Sequence, residues 1–302
     1  MRESQTVARR RRLAGAAFVA PALAVLAAVL GYPIVDSIVL AFQDVSMAAG
    51  QIDRTWNGLG NFERLFDDQA VHNALLNTLY FSGAEVVLVV GLGLGIALLL
   101  NNPIGRSGFL RVVLVVPWAI APVANAVLWK WILNANYGVL NGVLVSLGIL
   151  DTNQVWLGAP NMALGFLLLV DVWKSLPFVV LLMLAGLSQV PSILYRAAYL
   201  DGASRVQTFF HITLPNIGTA LAIATVLQTI WSLRVFDLVF VLTRGGPADA
   251  TVLLNFLAYR VTFNFLDLGY GAAIANLVFA LTFALAILYI WLMRPRRAGR
   301  AA

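Results

Sequence analysis

Cysteine is absent from the 302 residues, so no disulfide, thiolate metal site or cysteine nucleophile can form. Histidine is nearly absent: His72 and His211 are far apart, which excludes an H-E-x-x-H zinc helix. No G-x-x-x-x-G-K-[ST] phosphate loop occurs, so ATP-driven work would require another chain to bind the ATP. Charge is scarce as well, at 11% of the residues against about 25% in an average soluble domain. No nucleophile and base pair stands out, so the expected catalytic set and the expected metal set are both empty, and an enzyme is not expected.

Apolar types fill the space that charge leaves. They make up 61% of the chain, and the mean hydropathy is +0.86. That composition excludes disorder and argues against a soluble domain. Six apolar segments recur along the chain: Leu13 to Phe42, Ala74 to Leu100, Leu110 to Leu133, Met162 to Leu187, Ile217 to Leu242 and Gly271 to Met293. Each exceeds the roughly 20 residues that cross a hydrocarbon core. The expected fold is all-α, a polytopic membrane protein with six transmembrane helices. Val139 to Leu150 is too short to cross and reads as interfacial. The first segment continues past the length of a signal-peptide core, so an uncleaved span is expected there.

The formal charge of +6 does not point to nucleic acid, because the placement of the cations decides its meaning. With the N-terminus in the cytoplasm, thirteen of the twenty Lys and Arg residues fall on that side, including Arg9 to Arg12, Arg106, Arg111, Arg196, Arg205 and Arg294 to Arg300. The positive-inside rule then places both termini in the cytoplasm. The expected organisation is a basic N-terminus at 1–12, a six-span domain at 13–293 with a cytoplasmic loop at 189–216, and a basic tail at 294–302. The opposite loops lean acidic, through Asp44, Asp53, Glu63, Asp67, Asp68, Asp151, Asp249 and Asp267. They are either ordinary solvated loops or a docking face for an external partner.

The loop between the fourth and fifth segments carries the most information. Pro191 suits a helix start. Leu194, Ala197, Ala198 and Asp201 share a helical face, and Gly202 can end that helix in the αL conformation. A second short helix then leads to Leu214 and Pro215 at the entry to the fifth segment. Periodicity alone leaves two readings open: a small-residue face for close protein contact, or an interfacial helix resting on lipid headgroups.

Arg196-Ala197-Ala198, three residues, Gly202, nine residues and Ile212-Thr213-Leu214-Pro215 resemble the E-A-A-x(3)-G-x(9)-I-x-L-P loop of bacterial ABC importer permeases. The sequence is similar to the sugar permeases of that family, of the maltose type, along nearly its whole length. Gly58-Leu59-Gly60-Asn61-Phe62, Asn77-Thr78, Pro117-Trp118, Ala185-Gly186-Leu187, Phe236-Asp237, Gly245-Gly246-Pro247 and Gly269-Tyr270-Gly271 add to the likeness. The resemblance implies a bacterial cytoplasmic-membrane subunit that binds no cofactor itself. It implies ATP and Mg on two copies of a partner ABC ATPase, a second permease subunit and an extracytoplasmic solute-binding protein, with a sugar as substrate and lipid around the spans. It implies that Arg196, Ala197, Ala198, Asp201, Gly202, Ile212, Leu214 and Pro215 form the ATPase-coupling loop. Arg196 stands where the family motif has Glu, which alters the polar contact and leaves the loop shape intact.

Charge inside a span is costly and usually faces a partner or a wet cavity. Asp171, Lys174, Ser175 and Phe178 share one face of the fourth segment, and Gln228, Trp231, Ser232 and Val235 share one face of the fifth. Hydroxyls need such donors and acceptors, and sugar C–H faces pack on aromatic rings. The resemblance implies sugar contact on these helices, at Asp171, Lys174, Ser175, Phe178, Gln228, Trp231 and Ser232. Asp171 with Lys174, and Arg234 with Asp237, can instead neutralise each other. Lys174 and Arg234 leave open a permease for glycerol phosphate or a glycerophosphodiester. Asp171, Lys174 and Glu85 leave open a proton-coupled secondary transporter. Glu85 is unexplained by the sequence, and a pairing with another chain is one reading of it. Trp118, Trp129 and Trp131 read as packing or interface anchors. Gly91, Gly93 and Gly95 lie mid-span and read as close helix packing.

Overall fold

The computed structural model describes residues 2–48, 51–101 and 108–293. Helix α1, Arg2–Leu26, runs through a π-helical stretch, Ala27–Gly31, into α2, Tyr32–Ala41. Strands β1, Gln43–Ala48, and β2, Gln51–Trp56, form an antiparallel hairpin with Gln43 opposite Trp56 and Ala48 opposite Gln51. Helices α3, Gly60–Asp67, and α4, Gln69–Leu100, follow. Then come α5, Gly108–Ala119, α6, Pro122–Ile132, α7, Val139–Ser146, and α8, Pro160–Ser188. The loop after α8 holds α9, Ser192–Leu200, α10, Arg205–Thr208, a π-helical stretch, Phe209–Thr213, and α11, Leu214–Asn216. Helix α12, Gly218–Leu233, is followed by a π-helical stretch at Val239–Thr243, then α13, Leu254–Tyr259, another π-helical stretch at Arg260–Asn264, and α14, Leu268–Met293. The Arg106 loop position and the 294–302 tail lie outside the described residues.

Four stretches are long and apolar enough to cross a membrane unbroken: Ala14–Ala41, Gln69–Leu100, Pro160–Ser188 and Leu268–Tyr289. They match the expected first, second, fourth and sixth spans. The third and fifth are not the single straight helices expected. Val112–Ala119 and Pro122–Ile132 meet at 100°, and Arg205–Asn216 and Gly218–Leu233 meet at 68°, so six crossings result only if each bent pair is one span. The first break has a plain cause. Pro122 lacks an N–H and forces Ala121 out of the helical region, to φ −59° and ψ 143°. The fifth span also stops at Leu233 rather than Leu242. Arg234, Val235 and Phe236 leave the helix, so Val235 does not continue the Gln228 stripe. The Asn255 side chain donates to the freed Leu233 carbonyl at 2.8 Å.

The chain divides into two compact units, residues 1–67 with 258–276, and residues 68–257 with 277–302. In the first, Asn61 donates from Nδ2 to the Ala41 and Gln43 carbonyls at 3.0 and 2.8 Å, tying α3 to the end of α2 and the start of the hairpin. Phe42 stacks on Trp56 at 5.8 Å. In the second, α4, α8 and α12 pack against one another. Lipid is as apolar as leucine, so close packing rather than the hydrophobic effect holds such helices together. Gly93 provides that approach: a Cβ there would lie 2.7 Å from Val179 Cγ1. Gly91 and Gly95 have open space instead, so only the middle glycine of the three does what the sequence implied.

Candidate functional site

A cavity of ≈ 270 Å³ opens in the larger unit, lined from α4 by Glu85, from the α5–α6 bend by Trp118, Pro122 and Asn125, and from α8 by Asp171, Lys174 and Ser175. Trp231 and the segment Arg234–Leu238 complete the lining. Non-helical backbone at membrane depth is tolerated where it lines a cavity, which is where Arg234 to Phe236 lie.

Four of the seven expected pathway residues, Asp171, Lys174, Ser175 and Trp231, line this space. Phe178 does not. It packs between Trp118, at 6.0 Å and near-parallel, and Trp231, at 4.9 Å and edge-on, so three helical segments share one aromatic wall. Behind that wall lies an apolar cavity of ≈ 300 Å³ lined by Val115, Trp118, Pro177, Phe178, Leu181 and Leu182. Gln228 and Ser232 are fully buried and do not line the polar cavity. The Gln228 side-chain amide donates to Glu85 Oε1, and Ser232 Oγ donates to the Thr229 carbonyl at 3.1 Å.

Neither Asp171 with Lys174 nor Arg234 with Asp237 closes an ion pair among the described residues. Two fully or almost fully buried side-chain oxygens of the lining, Glu85 Oε2 and Asn125 Oδ1, accept no hydrogen bond among the described residues. Sequence reasoning left Glu85 unassigned, passed over Asn125 and treated Trp118 as packing. For Glu85 and Asn125 the available signal was a polar residue in an otherwise apolar run, and the Gln228 partner of Glu85 is remote in sequence.

The loop after α8 follows the expected shape with more pieces. Pro191 is the N-cap of α9 rather than its first turn, and Asp201 is the C-cap. Gly202 has φ +71° and ends the helix in the left-handed region, which costs a glycine no Cβ clash. Arg196, Ala197 and Asp201 are exposed, while Ala198 is buried. Its neighbours Tyr199 and Leu200 are 83% and 84% exposed. A capping box joins Ser204 and Gln207 at α10. Ile212 and Leu214 are half-buried, and Pro215 is exposed within α11, ahead of the bend into α12.

Residues 88–297 match the family model described as binding-protein-dependent transport system inner membrane component. The chain is 40% identical over 245 residues to the trehalose/maltose transport system permease protein MalF of Thermococcus litoralis, covering 81% of this chain and 82% of the relative. It is 33% identical over 285 residues to the sulfoquinovosyl glycerol transport system permease protein SmoG of Agrobacterium fabrum, covering 94% and 92%. The fold is shared with a chain of a bacterial ABC transporter involved in the import of the acidic polysaccharide alginate, at a TM-score of 0.80 and 22% identity over 97% and 98% of the two chains. With the membrane-length helices, these likenesses place the chain among the multi-pass inner-membrane components of binding-protein-dependent transport systems, as a permease subunit of the sugar ABC transporter family and not an enzyme.

Proposed function

We propose that this chain forms half of the translocation pathway of an ATP-driven sugar importer and that the polar cavity is its sugar site. The observation that carries this reading is the lining itself. Asp171, Lys174, Ser175 and Asn125 offer hydrogen-bonding groups beside the indole of Trp231, and Phe178 and Trp118 support that ring. A hydroxylated ring with apolar C–H faces needs both kinds of surface. The relatives named for trehalose/maltose and for sulfoquinovosyl glycerol both handle glycosides by name, which supports a sugar over the phosphate-ester and proton-coupled alternatives.

A second permease subunit closes the open side of the pathway, and an extracytoplasmic binding protein delivers the sugar. Two copies of an ATPase bind ATP and Mg. Helix α9 docks on one of them, presenting Tyr199 and Leu200 as an apolar tip beside Arg196 and Asp201. Gly202 sets the angle at which the chain leaves that tip. ATPase closure then moves α9 to α11, and the 68° bend at Ile217 passes the motion to α12, which carries Trp231.

Purification in mild detergent from the native membrane, with mass spectrometry of what accompanies the chain, tests the assembly. A P-loop ATPase and a second permease are expected. A chain that emerges alone as a stable monomer or homodimer contradicts it.

A further inference from the structure

The end of α12 is set from outside the helix. Arg234-Val235-Phe236-Asp237 holds no proline or glycine that would stop it. In a continued helix the Leu233 carbonyl would accept from the Asp237 N–H, four residues on. Instead it accepts from Asn255 Nδ2 at 2.8 Å, and residues 234–236 leave the helix and line the cavity. Asn255 is placed in turn by α4. The stretch ahead of it is buried, with Val252, Leu253 and Leu254 at 3%, 1% and 0% exposure, so its backbone groups need partners inside the protein. Asn77 Nδ2 donates to the Val252 carbonyl at 3.2 Å, and the Leu254 N–H donates to Thr78 Oγ1 at 2.9 Å. The Thr78 hydroxyl gives its own hydrogen to the Ala74 carbonyl at 2.7 Å, which leaves its lone pairs for Leu254. Asn77, Thr78 and Asn255 do not line the cavity themselves. The bonds run from one turn of α4, through residues 252–255, to the last turn of α12 and the non-helical lining beyond it.

Resting on the sugar reading above, we infer that Asn77, Thr78 and Asn255 are positioning residues for that site, a polar clasp that keeps α12 from running past Leu233. Asn255 occupies the carbonyl that a continued helix would offer to Asp237. Were α12 to continue by one turn, Val235 would fall seven residues on from Gln228 and three on from Ser232, on the face where both are fully buried. Val235 would then leave the cavity, and Arg234 would turn with it. The clasp selects the ended helix over the continued one, and with it the side chains presented to the ligand.

The chain has no cysteine, so a single introduced thiol reports on the lining. In the purified complete transporter, with partner chains free of cysteine, Val235→Cys is reacted with the methanethiosulfonate ethylammonium reagent, with and without Asn255→Leu. Reaction at least fivefold slower with Asn255→Leu is expected, because the thiol turns toward the buried Gln228 face. Ser175→Cys lines the same cavity from α8, outside the clasp, and its rate is expected to stay within twofold. A general loosening of the fold would instead speed both reactions. Thr78→Val, which keeps the shape and lacks the hydroxyl, is the second variant should Asn255→Leu fold poorly, with the same expectation. An unchanged or faster reaction at position 235, or equal slowing at both positions, overturns the inference. In proteoliposomes, Asn255→Leu is expected to lower ATP-driven uptake of trehalose or maltose at least fivefold, and unchanged uptake overturns the role of the clasp in the site. The thiol assay reads the lining whatever ligand passes, so failure of the sugar reading shows separately, as ATP-driven uptake of glycerol 3-phosphate with no uptake of either sugar.

Discussion

Gln228 on α12 donates a hydrogen bond to Glu85 on α4, and both side chains are fully buried. Residues 143 apart in sequence thus close the back of the cavity. A buried carboxylate is tolerated only when hydrogen-bonded, so this contact fixes how α4 and α12 face each other.

Removing one member of the pair is therefore worse than removing both. Gln228→Leu leaves Glu85 Oε1 without its donor and lowers stability by about 1–3 kcal/mol. The double variant Glu85→Leu/Gln228→Leu recovers much of that loss, because neither member of this contact is left without the other. Thermal denaturation in detergent, followed by circular dichroism, checks the order: the single variant melts first, the double variant close to wild type.

The aromatic wall makes a separate prediction. Trp231 is held edge-on by Phe178, and its indole faces the cavity. Trp231→Ala removes the flat surface and raises the half-saturation for sugar about fivefold to tenfold, the equivalent of about 1–1.4 kcal/mol. Trp231→Phe keeps a ring and recovers most of the affinity. Uptake measured over a range of sugar concentrations in proteoliposomes separates the two.

Gly202 sits at φ +71°, where a Cβ is strained, and nothing lies within 4 Å to clash. Gly202→Asp therefore costs at most about 1–2 kcal/mol locally, since Asp tolerates the left-handed region better than most residues. It also adds bulk and charge at the tip proposed to meet the ATPase. Sugar-stimulated ATP hydrolysis is expected to disappear, with the helical spectrum and membrane yield unchanged. Full transport in this variant sinks the coupling role of the loop.

In the smaller unit, Asp267 has two tasks. It pairs with Arg64 at 2.7 Å, and its Oδ1 accepts from the Tyr270 backbone N–H at the start of α14 at 3.1 Å. Arg64 is half exposed, so the ion pair contributes little, and the cap dominates at about 1 kcal/mol. Asp267→Ala lowers the melting temperature, and Asp267→Asn, which keeps an acceptor, stays near wild type. Equal loss in both variants assigns the stability to the charge instead.

Periodicity and length carried the helices that need only local information. The first, second, fourth and sixth spans and the Gly202 break are written in runs of apolar residues and in one residue free to adopt positive φ. The bend before α6 was also legible in principle, since Pro122 restricts Ala121 whatever the rest of the chain does. The end of α12 at Leu233 was not. Arg234-Val235-Phe236-Asp237 contains no proline or glycine, and what stabilises the break is the Asn255 side chain twenty-two residues later. The site divides in the same way. Asp171, Lys174 and Ser175 follow from one helical stripe, whereas the burial of Gln228 depends on Glu85, which no local pattern connects to it.

In the proposed mechanism, ATP bound by a partner chain drives sugar through this cavity. The most direct measurement is uptake of labelled trehalose and maltose by proteoliposomes that contain the complete transporter and its binding protein, with ATP on the ATPase side and with or without a protonophore. Accumulation that requires ATP and ignores the protonophore is expected. Uptake that proceeds without ATP and collapses with the protonophore contradicts it.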